Sequence, residues 1–281
     1  MSRSVRVYYT LIIMMSVFFS GHIEAAVDDS SVKIAWGYKG HTGPEFWGRL
    51  SPHFLLCGEG TSQSPINISK NDVEVANTLT LHYQTAPLII VDDGDTSLMI
   101  GNKQIIFNDG HTIQINFHGN SNKEFISYQG NKYQLKQFHF HSPSENQLNG
   151  DSAPLEIHFV HQGEKGKVVV IGVLVKGGSA NPELQTIIDH LPMADGKEHV
   201  VAGVKINPKD IFPLDNDYYS FSGSLTTPPC TEGLQWIVMA GTINASPAQI
   251  ATIRKALGGS NARAVQPLNN RVIAYSLGKA S

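Results

Sequence analysis

Apolar and polar residues alternate through much of the chain in short runs, with side chains of one kind recurring at every second position. Leu79-Thr80-Leu81-His82-Tyr83, Ser97-Leu98-Met99-Ile100, Gln104-Ile105-Ile106-Phe107 and Thr112-Ile113-Gln114-Ile115-Asn116-Phe117 all follow this pattern. A period of two predicts β-strands with one face buried. Asp93-Gly94, Gly101-Asn102 and Asn108-Asp109-Gly110 supply turns between them. Val168 to Val175 is instead continuously apolar apart from one glycine, and Trp236-Ile237-Val238-Met239-Ala240 is similar, as expected of strands covered on both faces. Two helices are signalled. Asn181-Pro182-Glu183 places a capping Asn before a first-turn Pro, predicting a helix to about His190. Ser246-Pro247-Ala248-Gln249 is a capping box, followed by a stripe of Ile250, Ile253 and Leu257 and a stop at Gly258-Gly259. Aromatics mixed with Gly and Pro from Trp36 to Trp47 predict packed but irregular chain. The pattern describes one β-rich domain without repeats or linkers.

Two further runs depart from this only in what occupies the polar positions. Gln137-Phe138-His139-Phe140-His141 turns His139 and His141 to one face and its phenylalanines to the other. Leu155-Glu156-Ile157-His158-Phe159-Val160 puts Glu156, His158 and Val160 together in the same way. If these strands pair, three imidazoles converge, and three neutral histidines with an open fourth position form the ligand set of a catalytic zinc. His161 has the wrong parity to join them. Val160, on the face of His158, is the apolar neighbour that parity nominates.

Composition changes the picture mainly at the N-terminus. The 281 residues are 41% hydrophobic and 16% charged, ordinary for a globular chain. Arg3 and Arg6 precede an apolar run from Val7 to Phe19, which gives way to Ser20-Gly21 and Ala25-Ala26. This is the layout of a secretory signal peptide over residues 1–25, and the run is shorter than the roughly 20 residues of a membrane span. A retained anchor is the alternative reading. The mature chain is expected to be periplasmic or secreted, with no membrane span after cleavage. A formal charge of −3 without a basic cluster offers nothing to nucleic acid or anionic lipid. Cys57 and Cys230 are the two cysteines; in an exported protein they predict a disulfide, the alternative being two buried thiols.

Taken together, Gln-Phe-His-Phe-His followed by Glu145, then Glu156-Ile157-His158, then Ser224-Leu225-Thr226-Thr227-Pro228-Pro229, resemble the α-class carbonic anhydrases of bacterial, exported type. Trp36-Gly37-Tyr38, Gln63-Ser64-Pro65-Ile66 and Gln266-Pro267-Leu268-Asn269-Asn270-Arg271 extend the likeness in order along the mature chain. The resemblance implies a mainly β (α+β) domain over residues 32–278, with a central, mostly antiparallel twisted sheet of about ten strands and short peripheral helices. It implies a hydro-lyase that reversibly hydrates carbon dioxide to bicarbonate and a proton, by attack of a zinc-bound hydroxide.

Residue by residue, the resemblance assigns Zn²⁺ to His139, His141 and His158. In that family the metal brings the pKa of its bound water to about 7. Gln137, Glu156 and Tyr38 match the partners that orient ligands and solvent, and Thr226 matches the residue that accepts from the hydroxide while donating to Glu145. Thr227 is implied for bicarbonate and anions, while Val170, Leu225 and Trp236 join Val160 as the carbon dioxide wall. His111 stands at the proton-shuttle position. Asp109 and Gln114 stand where Asn is usual, and Asn146 where many animal members have His. Inhibitory anions and sulfonamides are the ligands expected of the family, and a homodimer is the assembly often found among bacterial members. Cupins offer a competing His-x-His-x₃-Glu, but they place their next His after a Pro-x-Gly turn, whereas His158 lies mid-strand. Non-catalytic relatives that have lost a zinc ligand are a second alternative, against which all three ligands and Thr226 are present here.

Overall fold

One large sheet carries the molecule, and its strand order determines where the histidines meet. The computed structural model describes residues 34–278 except 70–72, 76–77, 93–94, 101–102, 109–111, 119–122 and 192–196. The expected leader, His111 and Asp109 therefore lie outside the described residues.

In chain order the strands are β1 (Asn67–Ile68), β2 (Val73–Glu74), β3 (Leu79–His82), β4 (Ala86–Asp92), β5 (Asp95–Ile100), β6 (Lys103–Asn108), β7 (Ile113–Asn116) and β8 (Phe125–Tyr128). There follow β9 (Asn131–His141), β10 (Gln147–Leu148), β11 (Leu155–Gly163), β12 (Val168–Gly177), β13 (Glu198–Ile206), β14 (Tyr218–Ser224), β15 (Glu232–Ala245) and β16 (Ala274–Ser276). Short helices accompany them among the described residues: α1 (Trp47–Leu50), α2 (Leu56–Glu59), α3 (Pro182–Ile188) and α4 (Pro247–Ala256).

Ten strands run in hydrogen-bonded succession, β13-β4-β7-β9-β11-β12-β15-β14-β16-β2, with β8 beside β9 and β3 beside β8. Among the described residues, β12·β15 and β16·β2 are the parallel pairs of this sheet; the expected mostly antiparallel architecture is present. All eight residues from Val168 to Val175 are buried, because β12 lies between β11 and β15 and is covered on both faces.

The two faces divide the work. Phe138, Phe140, Ile157, Phe159, Ile171 and Val173 belong to the main core, which also takes Leu184 and Ile187 of α3 and Ile253 of α4. Truncating any of its large aromatics to Ala costs about 3–5 kcal/mol. The opposite face carries the histidines and a smaller apolar cluster. Both helices begin as their caps dictate: Asn181 Oδ1 accepts from the amides of Glu183 and Leu184, and Ser246 and Gln249 form the reciprocal capping box. Helix α3 stops at Ile188, two residues short of the sequence expectation. The amide of His190 bonds to Ile187 O, tightening the last turn out of α geometry. Trp36, Tyr38 and Trp47 pack edge-to-face against one another beside the bonded pair Cys57–Cys230, whose Cα atoms are 5.0 Å apart.

Candidate active site

Strand register builds the site as rows across the sheet. His158 lies directly opposite His139, and Glu156 opposite His141, in the antiparallel pair β9·β11. Directly opposed residues share a face, so the alternation within each strand and the pairing between them place all three imidazoles together. Their ligand atoms lie within 4.8 Å of one another, and all three side chains are buried. His161, beyond a bulge in β11, belongs to the other side: its Nδ1 donates to Val169 O and its Nε2 accepts from the Tyr83 hydroxyl at 2.7 Å.

Two of the rings are held by a hydrogen bond through the nitrogen that does not face the cluster, and the third turns that nitrogen to a carboxyl. His139 Nδ1 donates to Gln137 Oε1 at 2.8 Å, and His141 Nδ1 donates to Asn261 O at 2.8 Å. The nitrogens they offer to the cluster are therefore Nε2. His158 is reversed: its Nε2 lies 3.1 Å from Glu156 Oε1, so Nδ1 is the nitrogen on offer. Burial holds all three pKa values below the ordinary imidazole range, with mutual repulsion adding to the effect at His139 and His158. Three neutral donors on one buried face fit a borderline-soft cation. Among the described residues His141 Nε2 is buried without a hydrogen-bond partner, which a metal would satisfy.

Around the ligands sit two buried carboxyls with different surroundings. Glu156 Oε2 accepts from the amides of Glu145 and Asn146, and its Oε1 accepts from Asn146 Nδ2, each at 2.8 Å. Burial raises its pKa, and these donors oppose the rise. Glu145 Oε1 accepts from the Arg263 amide at 2.8 Å, while its Oε2 lies 3.6 Å from His141 Nε2 and 3.8 Å from His158 Nδ1. Burial pushes Glu145 up to about 8, against the Arg263 amide and the nearby Thr226 hydroxyl. That hydroxyl favours the ionised carboxyl without reaching full hydrogen-bond geometry.

The apolar wall is itself a row: Gln137, Val160, Val170, Trp236 and Phe221 lie opposite one another in turn across five strands. Trp236 meets the His158 ring edge-on at 4.8 Å and anchors its indole N–H on Ser224 O. Leu225, Thr226 and Thr227, all buried, follow from β14 into a loop closed by Leu225 N to Thr231 O and Cys230 N to Thr227 O. Tyr38 stays with Trp36 and Trp47, and its phenol is close enough to Arg263 to act on its charge.

Three residues of the site carried no sequence signal. Asn261 holds His141 through its carbonyl, and its side chain accepts from Ser142 N and donates to Phe140 O. Arg263, 3% exposed, donates to Gln63 Oε1, Ser64 O and Cys57 O, each at 2.8 Å. Gly172 lies opposite His158, where an added Cβ would come within 2.5 Å of Glu156 Oε1.

Comparison with known proteins agrees with this geometry. A family model described as eukaryotic-type carbonic anhydrase matches residues 42–277. A carbonic anhydrase of Pectobacterium carotovorum is 40% identical over 268 residues, covering 95% of this chain and 98% of that one. A hyperthermostable carbonic anhydrase from an active hydrothermal vent chimney superposes with a TM-score of 0.75 at 40% identity, covering 86% of this chain and all of the other. The α-carbonic anhydrase of Thermovibrio ammonificans, solved with the inhibitor sulfanilamide, gives 0.70 at 38% identity, with coverage of 86% and 100%. The chain belongs to the eukaryotic-type, or α, carbonic anhydrases, the enzymes that hydrate carbon dioxide.

Proposed function

We propose that this chain works as an exported zinc carbonic anhydrase: residues 1–25 direct it across the inner membrane and are removed, and residues 32–278 form the enzyme of the periplasm or exterior. The observation that carries the reading is three buried, neutral imidazoles on one face, two with the tautomer fixed by a hydrogen bond from behind and the third with its Nε2 turned to Glu156. His139 and His141 would hold zinc through Nε2 and His158 through Nδ1. Zinc held this way supplies Lewis acidity that brings the pKa of a water to about 7 in this family. Neutral ligands leave the ion's charge undiminished for that task.

The remaining work falls to the chain. Gln137 and Glu156 keep their imidazoles from rotating, a role typically worth 10–100-fold in metal affinity. Thr226, closing on Glu145 Oε2 in the loaded enzyme, would donate a hydrogen bond to that carboxylate and so act only as an acceptor toward the nucleophile, fixing its direction of attack. Val160, Val170, Leu225 and Trp236 admit a small apolar substrate and exclude water from around it. Thr227 holds the bicarbonate product or a competing anion; sulfonamides are the expected inhibitors, and the Thermovibrio relative was solved in complex with one, sulfanilamide. Each hydration releases one proton, which His111 takes up on its ring and passes to buffer. Tyr38 steadies the solvent in between.

A stopped-flow carbon dioxide hydration assay with metal analysis of the mature chain tests this. Chelation and His158→Ala should each remove zinc and activity together. Full turnover by the metal-stripped protein would refute the reading.

A further inference from the structure

The histidine row does not end at the ligands. Gln114 lies opposite His139, Val91 opposite Gln114, and Glu198 opposite Val91. Residues so paired point to one face, so this line runs from the metal ligands to β13 at the sheet's edge. At about 4.8 Å per strand, Glu198 is some 14 Å of backbone from His139.

From Gln114 outward, side chains link the line. Gln114 Nε2 donates to Asn116 Oδ1 at 2.6 Å, and Asn116 Nδ2 donates to Glu198 Oε2 at 2.8 Å. The same carboxylate oxygen pairs with His118 Nε2. Exposure rises outward: Gln114 is buried, Glu198 is 35% exposed and His118 is 57% exposed. His199, the next residue of β13, alternates to the far face opposite core Ile90, and Lys197 precedes the strand. The titratable groups that the network itself joins are thus one carboxylate and one imidazole, at the wet end of a polar strip whose dry end adjoins a ligand.

We propose that His118, held by Glu198, is a second proton acceptor for the hydration reaction, serving the site alongside His111. The amides of Gln114 and Asn116 do not titrate; they order water along the strip. The proton released in each turnover crosses that water to the His118 ring, which then gives it to a buffer base in solution. Glu198 positions the ring through the contact of its Oε2 with His118 Nε2. The chemistry balances without a co-reactant: one proton leaves the substrate water and one reaches buffer.

This inference rests on the carbonic anhydrase reading above, and its test separates the two. Hydration is measured at low and at high buffer for the parent, His118→Ala, His111→Ala and the double variant. Losing one of two parallel proton acceptors should lower kcat at low buffer about twofold in His118→Ala, and removing both should lower it about tenfold or more. kcat/KM should stay level, and imidazole should restore turnover. A loss of zinc or of folding would instead move kcat/KM, and imidazole would not repair it. Glu198→Gln should shift the His118 ring resonances in the NMR spectrum. Low-buffer kcat unchanged by His118→Ala in both backgrounds, or unmoved His118 resonances, overturns the proposal. A parent inactive at high buffer would overturn the underlying reading instead.

Discussion

Replacing Gly172 by Ala sets two effects against each other whose sizes can be compared. A glycine inside a strand is ordinarily a weakness, and Ala there gains roughly 0.5–1 kcal/mol from backbone entropy. Gly172 is not among the positive-φ residues, so its backbone is open to any side chain. The obstacle is contact: the new Cβ would sit 2.5 Å from Glu156 Oε1, although its approach to Val238 Cγ2, at 3.5 Å, is ordinary. Carbon and oxygen rest at about 3.3 Å, so about 0.8 Å must be found. Glu156 cannot readily move, because both its oxygens are held by donors at 2.8 Å from Asn146 and the Glu145 amide. A shift of that size stretches such a bond to about 3.6 Å, beyond hydrogen-bonding range. Hydrogen bonds to a charged group contribute about 1.5–3 kcal/mol each, so one or two lost outweigh the entropic gain.

Gly172→Ala should therefore lower the stability of the metal-free protein by about 1–3 kcal/mol in urea unfolding. Displacing Glu156 from His158 Nε2 should weaken zinc binding by about 10–100-fold in competition with a chelator. Repeating the change in a Glu156→Ala background isolates the cause, since the clash is then gone and the cost of the Ala should vanish. A Gly172→Ala protein as stable as its parent, and as tight for zinc, would refute the argument.

Arg263→Lys should cost about 2–4 kcal/mol in urea unfolding, because an ammonium cannot serve Gln63, Ser64 and Cys57 at once and leaves buried acceptors unpaired. Its zinc content should hold, since the ligands and the amide that reaches Glu145 are untouched. Reducing Cys57–Cys230 opens a loop with a sequence separation of 173, for which chain entropy allows about 5 kcal/mol. Calorimetry with and without reductant should show the midpoint falling by roughly 10 °C. An unchanged midpoint would remove the bridge as a stabiliser. His161 supplies a pH dependence: burial lowers its pKa to about 3, while the unfolded chain titrates near 6.5. Below about 6.5 the unfolded state takes up a proton that the native state refuses, so this contribution is whole at neutral pH and is lost as pH falls toward 3. Between pH 7.5 and 5 the loss is about 2 kcal/mol, and His161→Gln should flatten the slope of urea-derived stability over that range by the same amount.

What the sequence discloses of this site divides along the two directions of a sheet. Along a strand, alternation is local, so parity alone sets His139 and His141 on one face, His158 and Glu156 on one face, and His161 on the other. Caps are local too, and α3 and α4 begin where Asn181 and Ser246 place them. Across strands nothing is local. Gly172 reads as a gap in an apolar run, and only its position opposite His158 makes it the space into which Glu156 fits. Asn261 reaches His141 over a separation of 120 residues from irregular chain, where no period exists to be read. Glu198 joins the histidine row through two intervening strands.

The chemistry needs both directions, and they fail differently. An error in alternation would scatter the ligands onto two faces and abolish the centre. A slip of one residue in register would turn a strand's ligands to the other face, and a slip of two would keep them on it while parting His158 from His139 and Gln114 from the ligand row. Residues such as Gly172, Asn261 and Arg263 act on that second requirement. Substituting Gly172 or Asn261 should therefore leave the histidines in place and show in metal affinity, whereas Arg263, whose guanidinium bonds Gln63, Ser64 and Cys57, should show in stability.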